Sequence, residues 1–214
     1  MPDKDEIALE IAKHLLQINA IKLSVQKPFQ WASGWNSPIY CDNRQLLSYP
    51  DIRSYVIDAF VDRIKSDYPE ANAIAGVATA GIAHAALIGD RMNLPMIYVR
   101  SKPKGHGLGQ SIEGAILPDM KVVVIEDLIS TGGSSLKAVE DLRAADIEVL
   151  GLGAIFSYAF DQAEKNIKQA KCSYFTLSNY HALIQLVKED QLVEDNDLQS
   201  LQDWRLNPAE WSNN

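Results

Sequence analysis

Cysteine is scarce in this sequence, and two other features are missing altogether. The 214 residues include only Cys41 and Cys172, which lie in unrelated contexts and favour neither a disulfide scaffold nor a cysteine-based metal site. No run of about 18 apolar residues occurs, although a membrane-spanning helix needs one. The polar first residues are also unlike a secretory signal. We therefore expect a cytoplasmic protein without membrane association.

Positive charge is also in short supply. Twenty Lys and Arg residues against 28 Asp and Glu residues give a net charge of −8 at pH 7, which argues against general nucleic-acid binding. Two nucleotide motifs are absent as well. Gly76 and Gly81 have the spacing of a P-loop, but Ile82 follows where a Lys is required. Gly151 and Gly153 lie in an apolar run with no third glycine to open a helix, which excludes a dinucleotide fingerprint.

The sequence does contain an alternation of strand and helix patterns. Hydrophobic residues make up 47% of the chain and charged residues 22%, as in soluble globular proteins. Alternating elements indicate a parallel sheet with helical crossovers, so we predict an α/β fold: a central parallel sheet flanked by helices, in a single domain spanning residues 1–214. The predicted strands are 73–78, 96–99, 122–125, 149–156 and 174–177, and the predicted helices are 5–19, one from Pro50, 82–92, one after Gly133, 163–170 and 179–190.

Two further segments have a different character. Residues 20–48, called the hood below, are rich in aromatic and turn-forming residues, which favours short antiparallel strands over a helix. We expect the hood to lie over the carboxyl edge of the sheet. The tail, residues 191–214, is polar with two tryptophans and is predicted to contain a docked terminal helix.

The central motif of the sequence begins at the predicted strand 122–125. Two acids, Glu126 and Asp127, follow the strand, and a loop of small residues then precedes a helical pattern. Such a loop offers backbone N–H groups and the positive end of a helix to a phosphate, while carboxylates can accept hydrogen bonds from sugar hydroxyls. The motif therefore predicts a pocket for a ribose 5-phosphate, although a Gly-Gly pair alone would indicate only a tight turn. The loop consists of Ser130, Thr131, Gly132, Gly133 and Ser134.

Two other loops are candidates for binding an anion. The Gly76–Gly81 loop joins a strand to a helix through small residues, which suits either a ligand or close packing of the helix on the strand. Residues 100–109 combine three glycines with four possible cations. A basic run is usually only a solvated surface, but a glycine-rich basic loop could also close over a departing pyrophosphate. Its cations are Arg100, Lys102, Lys104 and His106.

These motifs together resemble a known family. The strand, the acid pair and the Ser-Thr-Gly-Gly-Ser run resemble the phosphoribosyl pyrophosphate (PRPP) motif of type I phosphoribosyltransferases, with Glu126 in place of the usual first Asp. Residues 100–114 and the hood segment 33–44 are similar to segments of the orotate phosphoribosyltransferases. Two departures stand out: Ala32 replaces a Lys found in many members, and residues 157–160 hold no Arg.

The resemblance implies a type I phosphoribosyltransferase fold with an N-terminal hood. It also implies an enzyme that transfers phosphoribosyl from PRPP to orotate in pyrimidine synthesis. Magnesium would bind mainly through PRPP without a protein metal cage, in a homodimer with shared active sites. A different acceptor base, or a PRPP-sensing regulator without turnover, is the alternative.

The resemblance also assigns roles to residues of this sequence. Because the two family residues are missing, we propose Arg44 for the orotate carboxylate, which guanidinium can bind bidentately. A structural ion pair of Arg44 with Asp42 or with a dimer partner is the alternative. The expected catalytic residues are Arg100, Lys104, His106, Glu126 and Asp127, and the expected substrate-binding residues are Tyr40, Arg44, Thr79, Ala80, Lys102, Ser130, Thr131, Gly132, Gly133 and Ser134.

Overall fold

The computed structural model describes residues 3–31, 34–101 and 111–211 of the chain. A 3₁₀ helix covers Asn43–Ser48. The α-helices are α1 Lys4–Gln17, α2 Pro50–Asp67, α3 Ala80–Met92, α4 Gly133–Ala144, α5 Asp161–Gln169, α6 Tyr180–Glu189 and α7 Asp195–Leu206. The strands are β1 Ile21–Leu23, β2 Phe29–Gln30, β3 Asn36–Ser37, β4 Ile39–Cys41, β5 Ala73–Val77, β6 Met96–Val99, β7 Ile112–Glu113, β8 Lys121–Ile129, β9 Glu148–Ser157 and β10 Tyr174–Asn179.

A six-stranded sheet forms the centre of the molecule, in the order β10-β9-β8-β5-β6-β7. All neighbouring strands run parallel except β7, which pairs antiparallel with β6 at one edge. The α/β fold with a central, mostly parallel sheet is therefore confirmed. After β5 the chain moves toward one edge of the sheet, and after β8 it moves toward the other. Open α/β sheets bind ligands outside the carboxyl ends of the strands at such a switch point.

Helices cover both faces of the sheet. Val122 and Val124 point into the core under α4 and α5, whereas Val123 and Ile125 belong to the core under α1, α2, α3 and α6. All four of these side chains have no exposed surface. Burial on both faces explains why this strand is a continuous β-branched run rather than an alternating one.

Strand β8 is longer than the sequence pattern predicts. The expected strand ended at Ile125 because two acids follow, but β8 continues to Ile129. Its pairing with β5 does end at Ile125, whereas its pairing with β9 continues through Glu126 opposite Ala154. Glu126 and Asp127 therefore lie inside β8, in the part of the strand that still pairs with β9 but no longer pairs with β5.

The hood contains two short antiparallel pairs, β1 with β4 and β2 with β3, as expected from its composition. The tail contains α7, which buries Leu201 and Trp204 completely. Among the described residues, no helix combines the length and the hydropathy that a bilayer crossing requires. The hood and α7 are thus the two additions to the sheet-and-helix core.

Candidate active site

Glu126 connects the end of β8 to the start of α4. Its Oε2 accepts hydrogen bonds from Ser134 Oγ at 3.3 Å and from Ser135 Oγ at 3.2 Å. Its Oε1 accepts the backbone N–H of Asp127 at 3.2 Å. Both hydroxyl donors lie in the first turn of α4, so the buried carboxyl fixes the small-residue loop against the strand. The hydrogen bond from Ser135 was not predicted from the sequence.

The two acids have unusual electrostatics. Burial, followed by the neighbouring charge of Asp127, raises the pKa of Glu126 to about 8. Burial also raises the pKa of Asp127, while the charge of Arg44 acts in the opposite direction. Within the described ranges, neither carboxylate forms an ion pair with Lys or Arg. With a pKa of about 8, Glu126 is largely protonated at pH 7 in the free protein, and a bound cation would favour its ionised form.

The loop after β8 has the geometry of an anion site. Gly132 adopts a left-handed conformation with φ of 80°, which glycine reaches without steric cost, and α4 begins at the next residue. The first N–H groups of a helix have no partner within it, so they point out of this end. Asn166 on α5 donates from Nδ2 to the Thr131 carbonyl at 2.9 Å and fixes the loop from below.

The Gly76–Gly81 loop lies beside the acids, because β5 is the neighbour of β8. A Cβ on Gly81 would stand 2.3 Å from the Ile125 carbonyl oxygen, and one on Gly76 would stand 3.0 Å from the Ala85 Cβ. Close packing of Gly81 against β8 and of Gly76 against α3 therefore explains why both positions are glycine. Thr79 is exposed at the N-terminus of α3, and the peptide bond before it is cis. Ala80 is the first residue of this helix, so both residues stand where free N–H groups are expected.

Arg100 follows β6, beside the Gly76–Gly81 loop that comes after the neighbouring strand β5. Its Nη1 lies 3.3 Å from Glu113 Oε1. A small cavity of about 80 Å³ brings Arg100 together with Ala78, Ser134 and Lys137. Lys137, which also pairs with Asp141, was missed in the sequence although it stands one helical turn after Ser134.

Three other predicted cations, Lys102, Lys104 and His106, lie outside the described residues. The same holds for Ala32, the position of the missing family lysine. Their roles therefore remain expectations from the sequence.

A larger cavity of about 490 Å³ opens beside the loop that follows β8. Burial raises the pKa of the Cys41 thiol and of the Tyr158 phenol well above their usual values, so both groups are neutral near pH 7. The cavity therefore offers flat, uncharged surfaces next to the anion site. Its lining comes from the hood, the end of β8, the loop after β8 and the residue after β9: Gln30, Trp31, Trp35, Tyr40, Cys41, Leu128, Ser130, Thr131 and Tyr158.

The hood residues proposed from the sequence fall into two groups here. Tyr40 lines the cavity, whereas Arg44 is absent from its lining. The Arg44 side chain is 60% exposed, and its Nε donates to Asp42 Oδ1 at 2.6 Å, which is the ion pair considered as its alternative role. Between them, the buried Asn43 donates from Nδ2 to the Asp127 carbonyl at 2.7 Å. No sequence pattern predicted this link between the hood and β8.

The comparisons with known proteins agree with this geometry. A family model described as a phosphoribosyl transferase domain matches residues 43–189, which include the acid pair and both loops. A protein of Cytophaga hutchinsonii named orotate phosphoribosyltransferase is 54% identical over 202 residues, covering 94% of this chain and 97% of that one. The chain belongs to the orotate phosphoribosyltransferase family. It is therefore a transferase, as the sequence predicts.

Solved structures give the same result for the fold. The orotate phosphoribosyltransferase of Aeropyrum pernix superposes with a TM-score of 0.74 at 27% identity, covering 86% of this chain and 99% of that one. The UMP synthase of Leishmania donovani superposes with a TM-score of 0.75 at 28% identity over 92% of this chain. This chain spans 42% of the length of that enzyme.

Proposed function

We propose that the protein transfers the phosphoribosyl group of PRPP to orotate, giving orotidine 5′-phosphate and pyrophosphate in pyrimidine synthesis. The proposal rests on one juxtaposition: the anion site at the start of α4 shares Ser130 and Thr131 with the aromatic cavity. A ribose phosphate and a planar base could thus lie side by side. Membership of the family supports the same reaction.

The PRPP side of the proposal uses the junction of β8 and α4. The residues from Ser130 to Ser134 would bind the 5-phosphate through N–H groups and hydroxyls. Glu126 and Asp127 would accept hydrogen bonds from the ribose hydroxyls. A pKa of about 8 leaves Glu126 largely protonated at pH 7 in the free protein, so a cation bound with PRPP would favour its ionised, accepting form.

Pyrophosphate would leave on the side of the Gly76–Gly81 loop. In the proposed step, orotate N1 releases its proton to solvent and forms a bond to C1 of the ribose, while the bond from C1 to the pyrophosphate oxygen breaks. The electron pair of that bond leaves with pyrophosphate, so positive groups beside it lower the barrier. The proposed groups are the N–H groups of Thr79 and Ala80 and the side chains of Arg100, Lys102, Lys104 and His106.

Orotate would occupy the aromatic cavity. It is planar, and flat rings such as those of Trp31, Trp35 and Tyr158 bind planar groups by stacking or edge contacts. Because the Cys41 and Tyr158 groups are neutral, the orotate carboxylate needs a cation from elsewhere. Arg44 is our candidate, since guanidinium binds carboxylate bidentately and the Arg44 side chain is largely exposed.

Magnesium fits this site as a companion of PRPP. In the part of the chain that the structure describes, no group of three or more His, Cys, Asp or Glu residues could hold a metal. The carboxylates of Glu126 and Asp127 are nevertheless hard oxygen donors without ion-pair partners among those residues, which suits Mg²⁺ bound mainly through PRPP oxygens and water. When bound, the ion would neutralise part of the pyrophosphate charge.

The proposal also includes a single domain, a cytoplasmic location and a homodimer whose basic loop serves the partner's site. The shared site is testable by mixing two variants with strongly reduced activity, Lys104→Ala and Asp127→Asn. Half of the randomly exchanged dimers are mixed, and each would hold one site with a good loop and a good pocket, so roughly a quarter of wild-type activity should return. Activity no greater than the sum of the two variants, despite subunit exchange, would assign each loop to its own subunit.

The main test of the function is direct. The protein is incubated with PRPP, Mg²⁺ and orotate, and the loss of orotate absorbance is followed alongside the release of pyrophosphate. Parallel reactions with uracil and with adenine examine other acceptors. Turnover of one of these bases instead of orotate would move the assignment to another base, and PRPP binding without turnover would support a regulator.

A further inference from the structure

Two segments outside the family-matched region 43–189 contact each other across the molecule. The first part of the hood precedes this region, and α7 follows it. Gln26 Nε2 donates to Asp197 Oδ1 at 2.8 Å. Trp204 Nε1 donates to the Asn36 carbonyl at 3.2 Å, a contact between residues 168 positions apart. The tail helix is therefore attached directly to the hood.

Trp204 lies at the centre of this contact. Its side chain has no exposed surface. The centre of its ring is 5.5 Å from that of Trp31 and 5.6 Å from that of Tyr158, in edge-to-face geometry with both. Trp31 and Tyr158 are themselves 5.0 Å apart. The three rings thus form one cluster in which each member touches the other two.

Two members of this cluster line the aromatic cavity, and the third stands behind them. Trp31 comes from the hood and Tyr158 from the end of β9, and both contribute to the wall of the cavity. Trp204 is not part of that wall, so it acts on the cavity only through these neighbours. Aromatic pairs of this kind fix ring orientation as well as burying surface.

The position of α7 is set by the core, independently of the hood. Tyr180 on α6 donates its hydroxyl to the Leu201 carbonyl at 2.9 Å. Arg205 Nη1 donates to the Ala159 carbonyl at 2.5 Å, and the Trp204 ring also contacts Phe160 and Tyr180. Because the helix is anchored on this side, it can hold the hood residue Trp31 in a defined place.

We propose that Trp204 is a positioning residue for the base pocket, which sets the orientation of Trp31 and Tyr158 and thereby the affinity for the acceptor base. The inference rests on the proposed function, since it takes the aromatic cavity as the orotate site. Replacing a purely structural tryptophan would change the affinity for both substrates to the same extent. A positioning tryptophan would change the affinity for orotate and leave the affinity for PRPP unchanged, because PRPP is proposed to bind at the β8–α4 junction.

The test compares Trp204→Phe and Trp204→Leu with the matched control Trp211→Phe. Trp211 belongs to the same tail, and its Nε1 donates to Ser200 Oγ at 3.2 Å. This hydrogen bond lies within the tail and does not involve the hood. In Trp204→Phe, loss of ring contacts and of the bond to Asn36 should raise KM for orotate by about three- to tenfold. KM for PRPP should stay within about twofold, and Trp211→Phe should leave both values within that range.

Hydrogen exchange gives a second measurement on the unliganded proteins. The amides of Trp31 and Gly34, which bond to the carbonyls of Trp35 and Trp31, should exchange faster in both Trp204 variants and not in Trp211→Phe. If Trp204→Leu does not fold, Trp204→Phe decides alone. An unchanged KM for orotate in that variant, or an equal rise for both substrates, would overturn the inference. Absence of orotate turnover by the wild-type protein would instead overturn the proposed function.

Discussion

The half of the site proposed for PRPP comes mainly from one continuous segment, residues 126–135, whereas the half proposed for orotate is assembled from three separate segments. In the first, Glu126 bonds to Ser134 and Ser135, which lie within ten positions of it in the chain. In the second, Trp31 and Tyr158 meet only because the hood folds over the end of β9. The PRPP half therefore depends on one strand, the loop after it and the start of the next helix. The orotate half depends on packing between residues that are far apart in the sequence.

This difference has consequences for mutation. Changes in the local half alter the charges and donors that face the ligand, with little effect on distant structure. Changes in the assembled half act through the positions of rings and through the contacts that hold the hood. We therefore expect the effects on PRPP and on orotate to separate, and the following predictions are ordered from the largest expected effect to the smallest.

Asp127→Asn should give the largest loss of activity. The carboxylate is proposed to accept ribose hydroxyl bonds that strengthen in the transition state. Loss of a charged hydrogen bond costs about 1.5–3 kcal/mol, so kcat/KM for PRPP should fall by about ten- to a hundredfold while the fold is kept. Asp146→Asn, at an exposed turn far from the site, is the control. An unchanged kcat/KM would remove Asp127 from the PRPP half.

Asn43→Ala should weaken the connection between the two halves. The buried amide of Asn43 donates to the Asp127 carbonyl, and its removal leaves that carbonyl without this donor. The free energy of unfolding should fall by about 1–3 kcal/mol, and KM should rise for both substrates. Chemical denaturation and steady-state kinetics measure these effects, with the exposed Asn207→Ala as control. A defect confined to orotate would show that Asn43 belongs to the hood alone.

Glu126→Gln should change how stability depends on pH. The pKa of this group is raised from 4.5 to about 8 in the folded protein, so the folded state holds a proton that the unfolded state releases. Its stabilising contribution is complete below about pH 4.5 and is lost as the pH rises toward about 8.

Between about pH 4.5 and pH 8, the free energy of unfolding should therefore decrease less in Glu126→Gln than in the wild type. The difference between the two decreases should be at least about 1.4 kcal/mol, which corresponds to one pKa unit. The measurement is the free energy of unfolding of the unliganded proteins in a buffer series. Glu140→Gln, an exposed position on α4, serves as the control. Parallel curves for wild type and Glu126→Gln would show that the buried acid is ionised throughout.

Arg44→Ala should have the smallest effect, and it should fall on the orotate half. Because its side chain is largely exposed, we expect KM for orotate to rise by only about two- to fivefold, with KM for PRPP unchanged. Asp42→Asn, which releases the guanidinium from its partner, should not reproduce this rise. A defect limited to PRPP would place Arg44 beside Asp127, whose charge it already influences.

The elements of the fold were predictable from the sequence because their signals are local. The continuous β-branched run from Val122 to Ile125 identified a strand buried on both faces, and regular apolar spacing identified the helices. Strand ends were less predictable. The acids at 126 and 127 suggested a stop, but pairing with β9 continues beyond them, and no property of these two residues indicates that.

The same distinction applies to the site. Consecutive residues determined the acid pair, the loop from Ser130 to Ser134 and the helix that follows, since each depends on its immediate neighbours in the chain. Only the tertiary structure decided that Trp31, Tyr158 and Trp204 form one cluster beside that loop. Contacts between such distant positions depend on how the hood and α7 pack against the sheet, and packing of this kind leaves no periodic or local pattern in the sequence.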